Sequence, residues 1–189
     1  MQFQPFTGTA PQRVHPGWID QALTDIGHNA LRQSILSSTQ FTDRIVARLA
    51  SSDIQPMDLV DDHPIKALIG LMTPDFLHII GQLWFAPILA ETVLSPARHM
   101  IPEIEGRDQL RRLIRYRDHA MPDVIGDLPE DHNYAYEGQT CVAAWLSAQP
   151  ESQKTRRLRL VLPLELSLMS EERAALVARI LSDTELRSM

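Results

Sequence analysis

Apolar residues recur at intervals of three and four along most of this chain, so the sequence restricts the fold to packed amphipathic helices before any motif is considered. Ile19, Leu23, Ile26, Ala30 and Leu31 share one helical face from Gly17 onward. Phe41, Ile45 and Leu49 make a second face, with Asp43, Arg44 and Arg48 toward solvent. Ile65, Leu68, Ile69 and Met72 form a third behind Pro64, which suits the first turn of a helix because its missing N–H would be unpaired there anyway. Thr73-Pro74-Asp75 is a start signal: the hydroxyl caps, the proline fits the first position, and the carboxylate favours the positive end of the helix dipole. Leu77, Ile80, Leu83 and Trp84 continue the period behind it. Pro87 separates this helix from one over 88–94, and Ser95-Pro96 repeats the cap-and-proline start.

A basic amphipathic helix fits 108–118, with Leu110, Leu113 and Ile114 inward and Arg111, Arg112, Arg115 and Arg117 outward. A further helix fits 134–148, where Cys141, Val142, Trp145 and Leu146 share a face. Ser170-Glu171-Glu172 opens a last helix that buries Ala174, Val177, Ile180 and Leu181. Residues 51–62, 121–132 and 150–154 read as connections. One segment has a different period. Arg157-Leu158-Arg159-Leu160-Val161-Leu162 alternates with period two and is the best strand signal in the chain. A single strand cannot make a sheet, so its partner would come from 14–18, from 54–60, or from across an interface. The expected fold is mainly α: an N-terminal arm over 1–16, then a single globular helical domain over 17–189, with at most a short β element near 156–162.

A chain of 189 residues can bury roughly 70% of the surface it exposes when unfolded, enough for one core without staples. The lone cysteine, Cys141, cannot form an intramolecular bridge, and a reducing cytoplasm is the expected compartment. The first eight residues carry no Lys or Arg, and no apolar stretch follows them, so no secretory signal is expected. The most apolar region, 65–94, is interrupted by Asp75, His78, Gln82 and Glu91 and is too polar to insert in a membrane. Lys and Arg total 18 against 24 Asp and Glu, for a formal charge of −6, which argues against nucleic acid as a partner.

Three Asp-His pairs, Asp62-His63, Asp118-His119 and Asp131-His132, are the most tempting chemistry, since imidazole and carboxylate ligands can hold a divalent metal that activates water. They define one alternative, a metal-dependent hydrolase. Hydrolases built on such dyads read His then Asp, however, and these pairs adjoin prolines and loops, where both residue types are common. Cys141 follows Gly138-Gln139-Thr140, but its place on an apolar face lacks the base and the electropositive opening that a thiolate nucleophile needs. No phosphate-cradling glycine loop, nucleophile elbow or zinc spacing is present. No catalytic, cofactor-binding or metal-ligating residue is therefore assigned, and the expected class is a non-enzymatic binding protein. The candidate protein-binding residues are Arg111, Arg112, Arg115 and Arg117 in one group and Arg157 and Arg159 in another, because complementary charge sets orientation and encounter rate at an interface.

Two stretches carry a family resemblance. The first is Ile88-Leu89-Ala90-Glu91-Thr92-Val93-Leu94-Ser95-Pro96 followed by the Leu110 to Ile114 amphipathic segment. The second is Cys141-Val142-Ala143-Ala144-Trp145-Leu146-Ser147-Ala148, a proline-containing loop, and Arg157-Leu158-Arg159-Leu160-Val161-Leu162-Pro163-Leu164. Together they resemble the middle and C-terminal parts of the SctK family, also called YscK, of type III secretion systems. His15-Pro16-Gly17-Trp18-Ile19 can be laid on the family's opening segment. The resemblance implies an accessory protein of the cytoplasmic sorting platform, one that links the cytoplasmic domain of the inner-membrane ring to the platform's pod subunit. It implies no cofactor. A secretion chaperone, which would bind exported substrates instead of machine parts, is the other alternative.

Overall fold

A computed structural model of the protein describes residues 14–51, 64–65, 68, 71–94, 107–120, 132–163, 166 and 170–183. Of these, 79% are helical and none lies in a strand, which makes the fold mainly α. The helices are α1 Pro16–Ala22, α2 Asn29–Ser37, α3 Thr39–Ser51, α4 Pro74–Trp84, α5 Ala86–Leu94, α6 Arg107–Tyr116, α7 Tyr134–Ala148, α8 Gln153–Val161 and α9 Glu171–Ser182. Ile65 and Leu68 are also helical and buried. Among the described residues, no helix is long and apolar enough to cross a membrane.

The centre is the pair α4 and α7. The α4 start forms as its sequence signal predicts: the Thr73 hydroxyl accepts from Phe76 N–H at 3.1 Å, Pro74 occupies the first turn and Asp75 sits beside it. Behind that cap Leu77, Ile80, Leu83 and Trp84 are all buried, each contributing about 2 kcal/mol over an exposed position. Two glycines set how closely α7 approaches. A Cβ on Gly81 would run into the carbonyl oxygen of Tyr134, and one on Gly138 into that of Leu77, so each helix presents a bare spot to the other's backbone. α9 packs against α7 and also reaches α4, with Leu176, Val177, Ile180 and Leu181 buried, while α5 and α6 pack on each other and on α4. α4 ends at Phe85. Pro87 lies in the first turn of α5, and had the helix run on it would have lacked the N–H to bond back to Leu83.

The segment expected to be a strand is helical. α8 covers Arg157 to Val161, and the reason lies at its N-terminus. Ser152 Oγ accepts from Thr155 N–H at 3.1 Å while Ser152 N–H donates to Thr155 Oγ1 at 2.8 Å, a reciprocal cap that starts a helix at Gln153 inside the expected loop. Leu158 and Leu162, one helical turn apart, then point into the main core, and Leu160 is buried outside that cluster. Alternation arose because two separate surfaces cover the leucines, not because the chain is extended. Segment 14–18 does meet this region, as a cap in place of a partner strand. His15 N–H donates to Leu160 O at 2.7 Å and Trp18 Nε1–H to Leu162 O at 2.9 Å, pairing carbonyls that a helix end leaves open.

Other expectations shift in detail. The first long face divides into α1 and α2, with Leu23 capping α1 and a turn over 23–25, and Leu31 ends half exposed at 51%. Ile114 points outward and Tyr116 is buried in its stead. Residues 1–13, most of 51–62 and 121–131 lie outside the described residues, as does the alternative strand partner at 54–60.

Candidate functional site

The six arginines singled out by the sequence have different jobs. On α6, Arg115 places a guanidinium nitrogen 3.1 Å from Asp183 Oδ2, and the buried Tyr116 hydroxyl donates to the same oxygen at 2.9 Å. Asp183 caps the end of α9, so these two side chains tie α6 to the last helix. Burial first and the hydrogen bond to Asp183 second hold the Tyr116 phenol well above its ordinary range, which keeps it a neutral donor. Arg111 pairs with Asp108 at 3.4 Å and Arg117 with Asp118 at 3.3 Å, all four exposed, and pairs of that kind stabilise by no more than about 1 kcal/mol. On α8, Arg159 donates to Ser147 Oγ at 3.2 Å and joins α8 to α7, with its buried Nε unpaired among the described residues. Arg157 is exposed and makes no hydrogen bond or ion pair among the described residues.

Arg112 differs from all of these. It is half-buried and makes no hydrogen bond or ion pair among the described residues. It lines a cleft of about 350 Å³ between α4 and α6, walled by Ile79, Leu83 and Leu113. Gln82 and Gln109 complete the lining: Gln109 Nε2–H donates to Gln82 Oε1 at 2.9 Å, and the Gln82 amide nitrogen lies 3.0 Å from His78 Nε2. With its oxygen engaged by Gln109, Gln82 donates to His78, whose Nε2 is then the bare ring nitrogen. The network runs 27 residues in sequence from Gln82 to Gln109 and is visible only in the fold; in the sequence, Gln82 is merely a polar interruption. The two arginine groups are not presented together, since α6 packs with α4 and α5 while α8 packs with α3 and α7.

The remaining polar chemistry is turned inward. Arg173 reaches Glu137 at 2.7 Å, stacks its guanidinium 4.5 Å over the Trp84 ring and lies 3.8 Å from Cys141 Sγ. Cys141 is fully buried, and burial pushes its thiol up to about 12 despite the arginine, so it stays protonated and unreactive. His132 packs edge-on against Phe85 with ring centres 4.5 Å apart, and its Nε2 is 4.0 Å from Glu137. His119 stands edge-on to Tyr116. Asp62, His63 and Asp131 lie outside the described residues, and among the described residues no three His, Cys, Asp or Glu side chains gather to hold a metal ion.

Exposed apolar groups concentrate elsewhere. α2 has no buried residue, and Leu31, Leu36 and Phe41 of the α2 and α3 pair are exposed at 51%, 38% and 51%. Compared with family models, with curated proteins and with solved structures, the chain matches none.

Proposed function

We propose that the protein is a non-enzymatic cytoplasmic adaptor that binds two other proteins. More narrowly, it is an accessory of a type III secretion sorting platform, linking the cytoplasmic domain of the inner-membrane ring to the pod subunit. The observation that carries the adaptor reading is the presence of two outward faces on separate helix groups. One is apolar, on α2 and α3 with Leu31, Leu36 and Phe41; the other is basic, on α6 around Arg112. A linker needs two such faces on a body that does not reorganise, because ordering on binding lowers affinity. The tightly packed α4 and α7 pair supplies that body. The narrower reading rests on the resemblance over 88–96, 110–114 and 141–164 to the SctK family. When assembled, the protein would stand at the cytoplasmic face of the inner membrane.

Co-purification from the native host tests the reading. Recovery of both the ring domain and the pod subunit is expected. Recovery of neither, under conditions that keep the platform intact, would overturn the secretion assignment. Charge reversal belongs at Arg111 and Arg117, whose exposed pairs carry little stability, and not at Arg115, where the ion pair to Asp183 holds α9.

A further inference from the structure

Of Arg111, Arg112, Arg115 and Arg117, Arg112 is the half-buried one, and it makes no hydrogen bond or ion pair among the described residues. An incoming carboxylate can therefore pair with Arg112 without displacing an ion pair, whereas at Arg111 and Arg117 an acidic partner is already engaged. The surroundings narrow the kind of carboxylate. Ile79, Leu83 and Leu113 offer aliphatic wall on both helices, which suits an apolar neighbour of the charged group. Asp108 also lines the cleft, and its charge opposes an accumulation of negative charge there, so a polyanion is disfavoured. A cleft of about 350 Å³ is small for a free ligand but accommodates one or two side chains of a docked chain.

We infer that this cleft seats an acidic side chain of a partner polypeptide, with its carboxylate on Arg112 and the adjoining aliphatic residue against Ile79, Leu83 and Leu113. The inference rests on the adaptor reading and gives its basic face a partner chemistry. Arg112 is pre-positioned because Leu113, next to it, is fully buried and the Gln82 to Gln109 hydrogen bond locks α6 onto α4. Little side-chain freedom therefore remains to be lost when the carboxylate arrives.

The test uses the full chain and three probes: the blocked peptide Ala-Leu-Glu-Leu-Ala, the same peptide with Gln in place of Glu, and glutarate. Binding is read from the side-chain N–H resonances of the arginines and of Gln82 and Gln109. The Glu peptide should shift the Arg112 and Gln109 signals and bind at least tenfold more tightly than the Gln peptide. Arg112→Gln should abolish that difference, Arg112→Lys should retain part of it, and Arg157→Gln should leave it unchanged; dispersed backbone spectra verify that each variant is folded. Equal binding of the two peptides, no binding of either, or shifts confined to residues away from the cleft would overturn the inference. Glutarate binding as tightly as the Glu peptide would overturn it too, by making the cleft a small-carboxylate site. The two levels separate cleanly. If Arg112→Gln recovers both partners from the host as well as the wild type does, the cleft is removed and the adaptor stands; if the wild type recovers none, the adaptor reading fails.

Discussion

The α4 and α7 pair and the α2 and α3 pair have similar apolar periods in sequence, yet one is almost wholly covered and the other leaves Leu31, Leu36 and Phe41 in solvent. Periodicity reports that a helix has an apolar face, and says nothing of whether the chain itself supplies the cover. What separates the two is backbone approach. Gly81 and Gly138 let α4 and α7 meet carbonyl to Cα, so long side chains on either flank close over each other. No described glycine performs that service between α2 and α3; Gly27, just before α2, has nothing within 4 Å.

The contrast can be attacked by substitution. Gly138→Ala carries the largest expected effect, about 3 kcal/mol of destabilisation, because the obstacle is the Leu77 backbone and cannot swing aside. Denaturant unfolding measures it, and a loss below about 1 kcal/mol would mean that the helices slide apart easily. Arg173→Leu should cost about 2 kcal/mol, since it strands Glu137 at 19% exposure and uncovers the Trp84 ring. That loss should exceed the loss from Arg111→Leu severalfold in the same assay.

Alkaline pH offers a third handle on the covered region. The Cys141 thiol is raised in the folded state from 9.0 to about 12, so the folded form holds its proton where the unfolded form releases it. Its contribution to stability is complete below pH 9.0 and is lost as pH climbs toward about 12. Cys141→Ala should flatten that part of the stability curve, and a thiol reagent at neutral pH should label the wild type only after unfolding.

The uncovered region should respond weakly. Gly27→Ala, at a site with open space around it, is expected to stabilise by about 0.5 kcal/mol through the unfolded chain. Leu31→Ser with Phe41→Ser should change stability by less than about 0.5 kcal/mol while reducing recovery of one partner. A large loss of stability from that double change would show the surface to be internal packing and would remove it from the adaptor reading.

Much of this was legible in the residues. The α4 cap, the span of α7 and the buried face of α9 follow from local rules, because a hydroxyl before a proline and a three-to-four spacing act within one or two turns. α8 escaped for a local reason too: Ser152 and Thr155 form a reciprocal cap with Thr in the position where Glu or Gln is the usual signal, and the alternating leucines outweighed it. Candidate site residues were legible as a class only. The pattern selected basic side chains outside the core, but it could not tell Arg115, spent on Asp183, from Arg112, three residues earlier and unpaired among the described residues.

What the sequence determined by itself is therefore the helical class, the start of α4, the span of α7 and the buried face of α9, and the list of arginines with potential to bind. Tertiary structure alone decided which arginine is available, which apolar face stays open, and that Gln82, Gln109 and His78 form one network beside Arg112. The physical reason is range. Capping and periodicity are settled over a few residues of chain, whereas an ion pair to Asp183 or a cleft between α4 and α6 depends on which distant side chains the packing brings within about 3 Å.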